Sequence, residues 1–232
     1  MLQYPWGSPI PCLMGRPKEH DETTRAALLR AAEQLLAEDG AEALSVRRVS
    51  EVAGTSTRAV YSLFGSKEGL RSALYQAAFR QLRQRLLALP ETSDPAADLV
   101  RAGIDGFRAH ALAHPELFRL AFEWPGRRTR TTEADRREAM AAFELLIRRI
   151  ERVGGERLDT AASQRLAAGF HALCQGLASG EIAGLAAARH PNMREVWQEA
   201  LTAYVRGFSG AGMGAQQPAG KKKQRQTKPA AR

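Results

Sequence analysis

SVRRVSEVAGTSTRAVYSLFGSKEGL, residues 45–70, places three helix starts in one short span. Ser45, Ser56 and Ser66 each stand directly before a helix-forming run, where a serine hydroxyl can accept from an N–H of the first turn that has no intrahelical partner. Gly54 closes the first run, and glycine there permits the left-handed backbone that a sharp reversal needs. The spacing predicts a short helix capped by Ser45 with Val46, Val49, Val52 and Ala53 inward. A very short second helix follows Ser56 with Val60, Leu63 and Phe64 inward, and a long one opens at Ser66.

Two short helices joined by a tight glycine turn make the helix-turn-helix pattern, in which the N-terminal residues of the second helix meet base edges in the major groove. Anchoring Val49, Val52, Val60 and Phe64 against a preceding helix leaves Arg47, Thr55, Thr57, Arg58 and Tyr61 outward. Lys67 follows Ser66, so an ammonium and the free N–H groups of a helix N-terminus stand together where a phosphate can be held. Solvated charges on an ordinary helical corner are the plainer reading. The placement of these residues around the turn is what favours DNA.

Outward from that stretch the periodicity is helical throughout, and the fold class expected is all-α. The first helix is expected over Thr23 to Glu38, capped by Asp21 or Thr23, with Leu28, Ala31, Ala32, Leu35 and Leu36 as its stripe. The fourth carries Leu70, Leu74, Ala78, Leu82 and Leu86 and stops before Pro90. Five more helices are expected at about 97–113, 115–123, 131–153, 159–188 and 192–209, separated by Pro115, the loop WPGRRTRTT, Gly154-Gly155 and Pro191.

The net charge of +9 on 232 residues points to nucleic acid, but the last twelve residues hold six of those charges and no acid, leaving +3 elsewhere. That tail is expected to be a disordered solubilising end or a phosphate tether. Gly15 to Lys18 reads as loose chain or as an arm that puts Arg16 and Lys18 into a minor groove. Two cysteines, Cys12 and Cys174, are too few for a disulfide framework, and no apolar run approaches a membrane span, so a cytoplasmic protein is expected. His171 and Cys174 lie one turn apart without further ligands nearby and read as a core or pocket-lining pair; no metal and no cofactor is expected. No nucleophile turn, paired-carboxylate context or glycine-rich phosphate loop supports catalysis, so an enzyme is not expected.

Leu44-Ser45-Val46-Arg47 through Gly54, followed by Tyr61-Ser62-Leu63-Phe64-Gly65-Ser66-Lys67-Glu68-Gly69-Leu70, resembles the N-terminal domain of the TetR family of transcriptional regulators over residues 22–70. The resemblance implies an all-α homodimer with an N-terminal three-helix DNA-binding domain and a larger domain that dimerises and binds a small effector. It implies a contact to phosphate or base from Arg47, base reading by Thr57, Arg58 and Ala59, and phosphate contacts from Tyr61 and Lys67. Leu63 stands where many members carry His. The domains expected are a flexible extension at 1–20, the helix-turn-helix domain at 21–68, the effector and dimerisation domain at 69–210 and a disordered basic tail at 211–232. The partners implied are double-stranded DNA with a palindromic operator, an unknown small effector and a second copy of the chain, with no membrane. A repressor released by its effector is the leading reading; an effector-independent DNA binder or an activator is the other.

AHPELFRLAFE at 113–123 and HALCQGLASGEIAGL at 171–185 resemble the C-terminal domain type named for a Trp-His-Gly signature, with Cys174-Gln175-Gly176 at the signature's place. Phe107, Phe118, Phe122, Phe143 and Phe170, with His171 and Cys174, are the candidates for an effector pocket; plain core is the other reading of aromatics at this spacing. Gly169, Ala172, Gly176, Gly180 and Ala183 recur at helical steps, a poor choice for propensity unless another backbone comes close. Met193, Trp197, Leu201, Tyr204 and Phe208 form the facing stripe. Two copies of this helix pair are expected to make the dimer interface through Gly169, Ala172, Gly176, Gly180, Trp197, Leu201 and Tyr204.

Overall fold

A computed structural model describes residues 18–40, 44–123, 131–185 and 190–209. The arm around Arg16 and the basic tail lie outside them. The described residues form helices and turns with no strand: α1 (Lys18–Asp39), α2 (Val46–Val52), α3 (Thr57–Phe64), α4 (Lys67–Leu87), α5 (Pro95–Arg101), α6 (Ala109–Ala113), α7 (Pro115–Phe118), α8 (Glu133–Gly154), α9 (Thr160–Ile182) and α10 (Met193–Ser209). Two stretches, Ala102–Arg108 and Arg119–Glu123, widen to π-helical turns, and Gly155–Arg157 tightens to a 3₁₀ turn.

Of the element boundaries that differ from the sequence reading, three have a clear local reason. Helix α1 starts at Lys18, so Asp21 and Thr23 are helical residues and not caps; the run from Lys18 to Asp39 holds no glycine or proline that would delay its start. Helix α5 starts at Pro95, because the Asp94 carboxylate accepts from the Ala97 N–H and proline fits the first helical position, so the Asp-Pro pair opens a helix. Helix α9 ends at Ile182, with Ala183 as its cap and Gly184 at φ +71° turning the chain away, so it stops short of 188.

Two compact units divide the chain: one takes in the residues up to Ala88 with Phe107–Leu145, the other Leu89–Gly106 with the residues from Leu146 on. In the first, the α1 stripe Leu28, Ala31, Ala32, Leu35 and Leu36 is buried with Leu44, Val49, Val60, Leu70 and Leu74 in one continuous core. A partly buried polar ladder also joins α4 to α8. The Asp135 carboxylate accepts from Ser72 Oγ at 2.6 Å and Gln76 Nε2 at 2.9 Å, and Arg80 pairs with Glu138 one turn on. Burial pushes the Asp135 pKa up, but the hydrogen bonds from Ser72, Gln76 and Thr132 outweigh it and hold the carboxyl below the usual range.

In the second unit, Leu99, Ile104, Ile150, Phe170, Cys174, Trp197 and Leu201 are buried. A Cβ at Gly103 would stand 2.4 Å from Leu201 Cδ1 and 3.2 Å from Phe170 Cζ, so only glycine lets these side chains close over the backbone. Gly103→Val is expected to cost about 1–3 kcal/mol by overpacking, read from the midpoint of urea unfolding. A midpoint equal to that of the unsubstituted chain would show that this packing is loose.

Candidate nucleic-acid interface

The geometry of α2 and α3 follows from three caps and two glycines. Ser45 Oγ accepts from the Arg48 N–H at 3.2 Å, Ser56 Oγ from Ala59 at 3.4 Å and Ser66 Oγ from Gly69 at 3.0 Å. Gly54, at φ +64°, donates to the Glu51 carbonyl, and Thr55 donates to that of Ser50, which closes the reversal between the helices. Gly65, at φ +75°, makes the second reversal into α4. Val49 and Val60 are fully buried, and Leu63 and Phe64 pack partly buried against the same core. Val52 departs from the expectation: it is 47% exposed, because the face that meets the core runs through Val46, Val49, Ser50 and Ala53, and Val52 lies off it.

Thr57, Arg58 and Tyr61 are exposed on α3, Tyr61 at 55%. Residues 57, 58 and 61 lie within one turn and share a face. Arg58 has no ion-pair partner among the described residues. Ala59 is half-buried against the core, and Thr55 and Lys67 are half-buried. Arg47 is 84% exposed and pairs with Glu51 at 2.8 Å. Such an exposed pair contributes little, so the guanidinium is available for exchange onto a phosphate.

One feature of this surface had only a faint signal in the sequence. Arg25 of α1 donates from Nη1 to the Leu63 carbonyl at 3.2 Å, and its Cζ lies 4.7 Å from the centre of the Phe64 ring. In the sequence it is one arginine at the edge of an apolar stripe, three residues before Leu28.

The effector candidates divide between the two units. Phe107, Phe118 and Phe122 form one aromatic cluster with ring centres 5.0–6.0 Å apart, and Phe79 joins at 5.3 Å from Phe122. The space beside Phe118, Phe122, Phe79 and His110 is too small for a water molecule. Burial first, then His114 and Arg85, push the His110 pKa down to about 4, so that imidazole is neutral at pH 7. Phe143 is half-buried in this unit. Phe170, His171 and Cys174 belong to the other unit, where Phe170 and Cys174 are buried over Gly103, His171 is half-buried, and burial pushes the Cys174 thiol well up.

The dimer candidates also divide. Trp197 and Leu201 have no exposed surface within the single chain, and the indole N–H of Trp197 donates to Glu181 at 2.9 Å. Tyr204 donates to the Leu166 carbonyl at 2.8 Å, and its hydroxyl occupies the space that a Cβ at Gly169 would need. Trp197 and Leu201 are therefore closed within their own chain, while Tyr204 and Gly169 stay half-buried, and the Tyr204 hydroxyl accounts for the small residue at 169. Ala172 and Gly176 are exposed, and nothing lies within 4 Å of a Cβ at Gly176 or Gly180. On α10 the exposed residues are Arg194, Glu195, Gln198, Glu199, Ala203, Arg206 and Gly207; Ala203 and Gly207 are the small ones among them, and Ala200 is half-buried.

Among the described residues no three His, Cys, Asp or Glu side chains are placed to share a metal ion. No described helix is long and apolar enough to cross a membrane.

Residues 28–74 match the family model of bacterial regulatory proteins, tetR family, and residues 100–204 match that of the tetracyclin repressor-like C-terminal domain. The second match spans both segments that carry the C-terminal resemblance. No curated protein matches the chain. Among solved structures, a Rhodococcus sp. RHA1 protein of unknown function is 25% identical, with a TM-score of 0.68 over 86% of this chain and 99% of that one. SCO7222, a TetR from Streptomyces coelicolor, is 20% identical with a TM-score of 0.60 over 80% and 97%. A single-substitution variant of TetR from Acinetobacter baumannii AYE, in complex with minocycline, is 22% identical with a TM-score of 0.58 over 78% and 93%.

Proposed function

We propose, for a chain that belongs to the TetR family of DNA-binding transcription regulators, that Thr57, Arg58 and Tyr61 enter a major groove and that the protein is a repressor released by a small molecule. The observation that carries the DNA reading is the build of α3. Val60 fixes it from beneath, Ser56 caps its first turn, and Thr57, Arg58 and Tyr61 face away from the core. Arg58 reads a base edge, Thr57 and Ala59 flank it, Thr55 lies at the entry to the helix, and Tyr61, Lys67 and Arg47 hold the phosphates on either side.

The functional test begins with a duplex selected by the purified chain from a random pool. Arg58→Ala is expected to lower affinity for that duplex by about ten- to a hundredfold and to leave a scrambled duplex bound as before. Tyr61→Phe is expected to weaken both duplexes alike, as loss of a phosphate contact does. Equal loss on both duplexes for Arg58→Ala would place that residue on the backbone and remove it from base reading.

A second copy meets this chain, in this reading, on the faces that one subunit leaves open: Ala172, Gly176 and Gly180 on α9, and Ala200, Ala203 and Gly207 on α10. Small residues let helix backbones approach closely, and two such pairs form a bundle. A dimer reads a palindrome with half-sites about one helical turn or more apart. For the effector, the Acinetobacter TetR with minocycline supports an organic ligand, and Phe107, Phe118, Phe122 and Phe143 in one unit, or Phe170, His171 and Cys174 in the other, are the groups that would meet it. The closed packing of Phe107, Phe118 and Phe122 favours the second reading, an effector-independent binder or activator. A thermal-shift screen separates the two. An effector raises the melting temperature and releases the selected duplex, whereas no ligand in the effector-independent case does both.

A further inference from the structure

Helix α3 is eight residues long, and Val60 is its one fully buried side chain. A two-turn helix with one fully buried side chain, and with Ala59, Leu63 and Phe64 only partly buried, depends on further contacts at its end to fix its rotation. Its C-terminal carbonyls lack intrahelical partners, and the Gly65 N–H satisfies that of Tyr61. The Leu63 carbonyl is satisfied from outside the motif by Arg25 of α1, whose guanidinium also lies over the ring of Phe64.

The two contacts constrain different directions. A hydrogen bond into the end of the helix sets its distance from α1, and the stacked guanidinium plane sets its rotation, since a planar fork holds both geometries at once where an ammonium holds one. A cation at this end also complements the negative pole of the helix. Thr57, Arg58 and Tyr61 ride on the same rigid segment, so any turn of α3 about Val60 displaces them relative to a base edge, and hydrogen bonds weaken steeply with misalignment.

We infer that Arg25 is a positioning residue for sequence reading: it makes no base contact and fixes the orientation in which α3 presents Thr57, Arg58 and Tyr61, an inference that rests on the DNA reading above. Its position on α1, outside the helix-turn-helix, separates its role from that of the contacting residues.

The test uses the full chain, the duplex it selects from a random pool and a scrambled duplex of equal length, titrated between about 50 and 200 mM salt, the range over which phosphate contacts are read as a slope. Arg25→Ala is expected to reduce affinity for the selected duplex about tenfold and for the scrambled duplex by much less, so that their ratio falls, with both salt slopes unchanged. Arg25→Lys, which keeps the charge and one donor but not the plane, is expected to fall between the two. Parallel loss on both duplexes, with slopes shallower by about 0.9, marks a direct phosphate contact and overturns the inference. An unchanged ratio between the duplexes overturns it too. If Arg25→Ala does not fold, Phe64→Leu removes the stacking partner while keeping an apolar side chain; it is expected to lower the same ratio, and an unmoved ratio counts against the inference. Were the unsubstituted chain to select no duplex, the DNA reading would fall and this inference with it; a selected duplex with an unmoved ratio removes the inference alone.

Discussion

Trp197→Ala is expected to lower the unfolding free energy by about 3–5 kcal/mol, the range for removing a large aromatic from a closed core. Trp197 is the largest fully buried side chain among the described residues, and its indole N–H reaches the Glu181 carboxylate. The melting temperature should fall by roughly 2–4 °C per kcal/mol for a chain of this size. Trp197→Phe keeps most of the apolar volume and loses the hydrogen bond to a charged group, so a smaller loss of about 2 kcal/mol is expected. Because the residue packs within its own subunit, these losses should be the same at low and high protein concentration. A loss that appears only on dilution would place Trp197 at a subunit contact instead.

Asp98→Ala is expected to cost roughly 1.5–3 kcal/mol, because it removes a buried carboxylate that accepts charge-assisted hydrogen bonds, while the arginines it leaves, 32% and 31% exposed, can be hydrated. The buried Asp98 carboxylate accepts from the Thr92 N–H at 2.6 Å, Thr92 Oγ1 at 2.9 Å and Arg101 Nη1 at 2.8 Å, and Arg152 reaches it at 3.3 Å. These contacts tie the segment before α5 to α8 in the second unit. Burial pushes the Asp98 pKa up, but the bonds from Thr92, Arg101 and Arg152 outweigh it, so the folded value lies below the ordinary one. A depressed folded pKa means that the contribution is fully present above the ordinary aspartate value of about 3.9 and is lost as the pH falls through the folded value. The unsubstituted chain should therefore lose stability below about pH 4, and Asp98→Asn should flatten that part of the profile. Chemical unfolding from about pH 7 down to about pH 3 measures both, and an identical acid limb in the two proteins would mean that Asp98 titrates as an exposed group.

The part of the fold that the sequence made legible is the part governed by local rules. Ser45, Ser56 and Ser66 announce their caps because the hydroxyl and the N–H it serves lie three residues apart. Val49 and Val60 sit where helical spacing puts them. Val52 lies three residues from Val49 yet is exposed, because the face that meets the core runs through Val46, Val49, Ser50 and Ala53. The division of Phe107 and Phe118 from Phe170 and Cys174 depends on which helices meet, and periodicity along one helix carries no record of that. The same holds for the stripe Trp197, Leu201 and Tyr204: its apolar spacing says that it packs, and Leu166, Gly169 and Glu181 of its own chain show against what. Arg25 was the hardest to read, because its partner is a main-chain carbonyl 38 residues away.

Sequence reading through α3, as proposed, rests on a difference in affinity between DNA sequences. The most direct measurement is the ratio of affinities for the selected duplex and its scrambled counterpart, taken by fluorescence anisotropy on the full chain near physiological salt. The expected result is a selected sequence with twofold symmetry and a ratio of about a thousand or more, the lower bound for specific regulators, with Arg58→Ala lowering the ratio sharply. A ratio near one, or a preference that vanishes as salt rises while Arg58→Ala leaves it unchanged, would contradict it.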